Sequence, residues 1–235
     1  MISGKIIRAV GILLLMAIIL QPVLADTARD NATDAYNAGV FMVSQGNYQG
    51  AIDSFNYALT MNTTSINTTG ALLYTYQGKA FSQIQLGKYS EAVATADQGL
   101  AQFPKDTKLW NNKGYALFKQ NDLQNALSAY DQAIAIDQNY TIALVNKGDT
   151  LTGLGRYGDA IATYKQALAT DPGNHDATAG LALAQKGASN PFSSPMTLIL
   201  AIVVILTVIG AVWYVKFRKP DEKTPGDKKT EGKKK

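Results

Sequence analysis

The chain has 235 residues, 22 Lys+Arg against 18 Asp+Glu, one histidine and no cysteine, a length suited to one or two domains with a real core. Lack of cysteine excludes disulfides, thiolate zinc sites, iron–sulfur clusters and a cysteine nucleophile, and His175 alone makes neither a His-based metal site nor a Ser–His–Asp triad. The net charge of +4 is divided, with +2 on residues 1–25, −3 on 26–195 and +5 on 216–235, so no folded domain carries the basic patch a nucleic-acid binder needs.

Lys5 and Arg8 precede Ala9–Leu20, twelve residues without charge, and Gln21-Pro22 and Val23-Leu24-Ala25 follow. This is the charged, apolar and small-residue order of a secretory signal, with cleavage expected after Ala25. An uncleaved signal anchor is the alternative, and either would send the following chain out of the cytoplasm.

Between the apolar ends the sequence repeats. Ala92, Ala126 and Ala160 are spaced by 34, as are Gly87, Asn121 and Gly155, and the pairs Gly114/Gly148, Tyr130/Tyr164 and Ala133/Ala167. A fourth copy starts at Gly46, its Ala51 lying 41 residues before Ala92. The excess over one period is an insertion in the polar stretch Asn62–Gly70. A period of this length marks stacked repeats that share a core no single unit could bury.

With Trp110, Gly114, Ala126, Tyr130 and Ala133 in order, and Pro172 closing the following copy, the period resembles the tetratricopeptide repeat (TPR). Four copies are expected, over about 32–65, 73–106, 107–140 and 141–174, with a capping helix over 175–186. The copies depart from one another, Ala80 standing in the second where the others have Gly39, Gly114 or Gly148. The resemblance implies an all-α fold, a right-handed solenoid of four helix pairs plus a capping helix. Small residues would let helices approach, and Phe55, Tyr130 and Tyr164 would fill the space between pairs.

Residues 187–195 read as a stalk. Met196–Val215 is twenty residues without charge, long enough as a helix to span roughly 30 Å of hydrocarbon. Trp213 and Tyr214 near its end and the Lys/Arg-rich 216–235 beyond it match a membrane interface and a cytoplasmic side. The tail's composition cannot support a packed core. The expected protein is therefore single-pass in the cell membrane, with the repeats extracytoplasmic and the tail cytoplasmic.

No catalytic set is present, so no enzyme, cofactor, metal site or small-molecule substrate is expected. Asp97, Asp131 and Asp159 read as solvated helix faces, and His175 as a surface residue. What the resemblance implies is a concave groove lined by the first helix of each pair. Its residues would be Tyr36, Val40 and Val43, then Tyr74, Gln77, Phe81 and Ile84, then Lys108, Asn111, Tyr115 and Phe118, and finally Ile142, Val145 and Asp149. Aromatic anchors among adaptable amides suit a protein or peptide partner, although a stripe at helical spacing also describes a core. The Lys/Asn clamp by which some family members hold a C-terminal carboxylate is not expected, since Tyr36, Val40, Ile142 and Asn146 occupy its places. Asn31, Asn62, Asn67 and Asn139 each begin an Asn-X-Thr sequon and are expected in surface turns.

Two functions follow. The first is a membrane-tethered scaffold that binds a partner outside the cell, in assembly of envelope complexes. The second is a structural envelope glycoprotein in which the repeats act as a spacer.

Overall fold

The computed structural model describes residues 31–61, 70–190 and 195–217. The expected signal segment, the tail beyond 217, most of the insertion and residues 191–194 of the stalk lie outside them. The chain divides into two units, one ending at Ala188 and the other beginning at Ser189.

The first unit is a succession of helices: α1 (31–44), α2 (Tyr48–Met61), α3 (Ala71–Gln85), α4 (Tyr89–Gln102), α5 (Thr107–Lys119), α6 (Leu123–Ile136), α7 (Thr141–Gly153), α8 (Tyr157–Thr170) and α9 (His175–Ala188). From α2 onward each helix packs on the next, and α3, α5, α7 and α9 also touch in series. The second helices α2, α4, α6 and α8 do not touch one another among the described residues, so the first helices line the inside of the array. The cap α9 runs to Ala188, two residues into the expected stalk. Its Gly187 lies against the Tyr157 ring, leaving no room there for a side chain.

Local signals explain the punctuation. Asp106 Oδ1 accepts from the Leu109 amide at 2.7 Å and Asn174 Oδ1 from that of Ala177 at 2.9 Å, capping α5 and α9. Each turn between the paired helices needs one left-handed residue, supplied by Gly46, Gly87, Asn121 and Gly155 at φ of 71°, 72°, 62° and 70°. Glycine adopts this without strain, and asparagine is among the side chains that tolerate it.

The core is built on repeated small–large contacts. Ala51, Ala92, Ala126 and Ala160 are fully buried. A methyl added to Gly114 would fall 2.6 Å from the Tyr130 ring, and one on Gly148 2.6 Å from the Tyr164 ring. Phe55 sits between Gly39 of its own repeat and Gly78 of the next, and Tyr164 likewise between Gly148 and Gly180. The second repeat departs from the pattern at both positions. Where the others pair glycine with a ring it has Ala80 and Ala96, both fully buried. The extra methyl on one helix thus accompanies the missing ring on the other.

Two ion pairs cross between repeats, Lys113–Asp97 at 2.7 Å and Lys147–Asp131 at 2.6 Å, and Arg156–Asp159 at 2.5 Å lies within one repeat. Asp97, Asp131 and Asp159 lie on exposed helix faces as expected, and each is paired there. The lysines sit one 34-residue period apart, so a pairing made at one junction recurs at the next. Each acid remains half exposed, and such pairs contribute little individually, about 0–1 kcal/mol.

The second unit contains α10 (Pro195–Phe217), with a mean hydropathy of 2.8 over Leu198–Phe217 and no part of that stretch buried. By length and composition it is able to cross a membrane.

Candidate functional site

The inner face of the first helices holds a groove of about 580 Å³. α1 contributes Tyr36, α3 contributes Tyr74, Gln77, Gly78, Phe81, Ile84 and Gln85, and α5 contributes Lys108, Asn111, Asn112 and Tyr115. Tyr140, Ile142 and Asn146 complete it. The 34-residue phase explains the lining, because Tyr74, Lys108 and Ile142 occupy one helical position, and Gly78, Asn112 and Asn146 another.

Most of the wall is aromatic or aliphatic. Tyr74 is 51% exposed and Phe81 39%, so neither ring belongs to the core. Tyr48 meets Phe81 edge-on with centroids 6.1 Å apart, and Tyr36 leans on the core ring of Phe55 at 6.4 Å. Desolvation raises the pKa of the Tyr36 hydroxyl, with Tyr74 adding to it. Burial does the same to Tyr140, helped by Asp106 and Asp137. Both phenols therefore stay neutral donors at physiological pH. Lys108 is the single charged side chain of the lining among the described residues. Lys119, outside it, places its ammonium 5.9 Å from the Tyr115 ring centroid.

The amides are partly committed to each other. Gln77 Nε2 donates to Asp106 Oδ2 at 2.9 Å, Asn112 Nδ2 to the Gln77 carbonyl at 3.4 Å, and Asn146 Nδ2 to Asn111 Oδ1 at 2.9 Å. These bonds cross from one repeat to the next and fix the floor's geometry before any ligand arrives.

The structure brings Tyr36, Tyr74, Gln77, Phe81, Ile84, Lys108, Asn111, Tyr115 and Ile142 together around this groove. It places the others elsewhere. Val145 is 8% exposed and packs in the core with Leu127, Leu144 and Tyr164. Phe118 packs against the cluster around Leu117, Ala126 and Tyr130. Asp149 accepts a hydrogen bond from the Tyr164 hydroxyl at 2.5 Å, and Val40 and Val43 lie outside the lining. Sequence reasoning missed Gly78, Gln85, Asn112 and Tyr140 as lining residues, and it took Asn146 only as a residue out of place in a clamp. The signal for three of them was the recurring position Gly78, Asn112 and Asn146, which is small or amide throughout.

Of the sequons, Asn139 is exposed in the turn before α7. Asn31 lies on α1, not in a turn before it, and Asn62 and Asn67 fall outside the described residues.

A family model described as tetratricopeptide repeat matches residues 79–141 and 145–185, the stretch in which Gly/Tyr contacts and left-handed turns recur in register. The helix pairs within those residues match the tetratricopeptide repeat. Solved structures agree on the fold. The MamA protein superposes with a TM-score of 0.57 at 19% identity, covering 68% of this chain and 83% of that one. A TPR protein from Parabacteroides merdae gives 0.59 at 18%, covering 75% and 67%. A thermophilic TPR protein from Thermus thermophilus gives 0.54 at 18%, covering 73% and 90%. No curated protein matches the sequence.

Proposed function

We propose that the protein is a membrane-tethered TPR scaffold that holds an extended segment of a protein partner in the groove of α3 and α5, outside the cytoplasm, in assembly of envelope complexes. The observation that carries this reading is the set of exposed rings, Tyr74 and Phe81 above all, on a floor cross-linked by amides. Aromatic side chains that are not core offer large contact area at low entropic cost, and the neighbouring amides serve a peptide backbone. The apolar helix α10, preceded by a candidate signal and followed by a basic tail, supports the tether and its orientation. Peptide binding by TPR domains is also the activity that the family resemblance brings to this chain.

The test pairs two measurements on the full chain in detergent. Tyr74→Ala and Phe81→Ala should each weaken a partner recovered by the wild type by about 1–2 kcal/mol, roughly five- to thirty-fold. Thermal unfolding should stay unchanged, because both rings face solvent. Unchanged recovery with unchanged melting would favour the spacer reading instead. Phe118→Ala serves as contrast: it should lower the melting temperature, since its ring packs against the core cluster around Leu117, Ala126 and Tyr130.

A further inference from the structure

We propose that Asn139 carries an N-linked glycan at the rim of the groove, and that Asn31, with the same sequon, does not. The inference rests on the exported placement argued above and adds to it a modification site chosen by backbone geometry.

Asn139-Tyr140-Thr141 crosses the turn from α6 into α7. The Asn139 backbone amide donates to Asp137 Oδ1 at 3.0 Å, which fixes the turn. The Thr141 hydroxyl lies 3.3 Å from the Asn139 carbonyl oxygen, to which it donates. The side-chain hydroxyl of the third residue is thus folded back beside the first, while the Asn139 carboxamide points to solvent with no hydrogen-bond partner among the described residues. Asn139 and the Thr141 hydroxyl thus lie together in an exposed turn that a glycosyltransferase can reach. At Asn31 the helix prevents this, since side chains two apart on a helix face opposite directions.

The step is a group transfer from a polyprenyl-phosphate-linked oligosaccharide. The Asn139 amide nitrogen forms a bond to C1 of the first sugar as the bond from C1 to the phosphate oxygen breaks. The lipid phosphate leaves with the electron pair, and the amide proton passes to a base of the transferase. Because Tyr140 lines the groove, the sugar stands at its edge between the third and fourth repeats.

Trypsin releases Asn139 on Gln120–Lys147, which contains no other sequon. From the chain purified out of the membranes of the cells that make it, this peptide should be found at a mass raised by hexose-type units. The increment should vanish in Asn139→Gln and Thr141→Val, return in Thr141→Ser and persist in Asn31→Gln. Recovery of the wild-type peptide only at its unmodified mass would overturn the proposal, as would an increment surviving Asn139→Gln. Protease added to intact cells separates this from the reading beneath it. Digested repeats with an unmodified peptide would sink the glycan alone, whereas protected repeats would sink the exported placement and the glycan with it.

Discussion

The third and fourth repeats seat the same ring in the same socket and give its hydroxyl opposite fates. Tyr130 and Tyr164 are both fully buried, each against a glycine of its own repeat. The Tyr164 hydroxyl donates to Asp149, while that of Tyr130 has no hydrogen-bond partner among the described residues. The difference lies in one residue. The position after the small residue of the first helix is Tyr115 in the third repeat and Asp149 in the fourth, 34 apart. In the third, that position lines the groove and leaves the core hydroxyl unsatisfied. In the fourth, it satisfies the core and adds nothing to the groove. Phe81, at the same position in the second repeat, faces Ala96 with no hydroxyl to satisfy and is free to line the groove. One column of the repeat is thus shared between binding and folding, and the groove stops where the fold claims it.

The largest expected effect breaks what the two repeats share. Gly114→Leu and Gly148→Leu each drive a side chain into a buried ring and should lower unfolding free energy by about 1–3 kcal/mol or more. Denaturant unfolding of the two variants should give similar losses. A neutral result at either would mean that its socket is not closed.

The next effect separates them. Tyr164→Phe removes a hydrogen bond to a carboxylate and should cost about 1.5–3 kcal/mol. Tyr130→Phe removes a hydroxyl whose burial is uncompensated, so stability should hold or rise by up to about 1 kcal/mol. Burial pushes both phenols well above their ordinary range, so neither ionises in the folded state at physiological pH. Equal losses in the two variants would erase the contrast.

A smaller effect is readable against pH. Desolvation holds the Asp149 carboxyl above its ordinary value, the Tyr164 hydrogen bond pulling the other way and Asp176 adding to the rise. The folded state therefore keeps the proton longer than the unfolded one. The contribution of Asp149 is fully present below an ordinary carboxylate pKa of about 4 and is lost as pH rises through the raised folded value. Asp149→Asn keeps an acceptor for Tyr164 and cannot titrate. Its stability relative to wild type should improve from pH 4 upward and then level off. A difference independent of pH would show that the carboxyl is not desolvated.

These contrasts also explain what was legible in the sequence. The period follows from spacing alone, because it recurs, and the close alanine and glycine contacts and the groove-lining face of α3 and α5 follow from the family resemblance that the spacing carries. What failed were residues where the repeats differ in what a neighbour needs. The resemblance assigns Asp149, Val145 and Phe118 to the groove along with Tyr115, Asn111 and Ile84. Only the structure shows the Tyr164 hydroxyl beside Asp149, or Phe118 packed against the cluster around Leu117, Ala126 and Tyr130. Likewise the periodicity that aligned Asp97 with Asp131 held the ion pairs in view, since Lys113 and Lys147 share that spacing. Pairing the two columns required knowing which helices adjoin.

The smallest effect would extend that ladder by one rung. One period before Lys113 stands Lys79, and the position matching Asp97, 41 residues earlier across the insertion, is Asn56. The first junction therefore has the cation of the later two without the acid. Lys79 is half-buried, and desolvation lowers its pKa while Glu91 acts against the shift. Asn56 is exposed on α2, as Asp97 and Asp131 are on their helices. Asn56→Asp should supply the missing carboxylate and raise stability by about 0.2–1 kcal/mol in low salt. The gain should fade near 1 M salt, where charges are screened over about 3 Å. It should also disappear when Lys79→Gln is added, so that the two substitutions couple in a double-mutant cycle. A gain indifferent to salt and to Lys79 would come from some other property of the aspartate, and no gain would mean the first junction is not built in register with the later two.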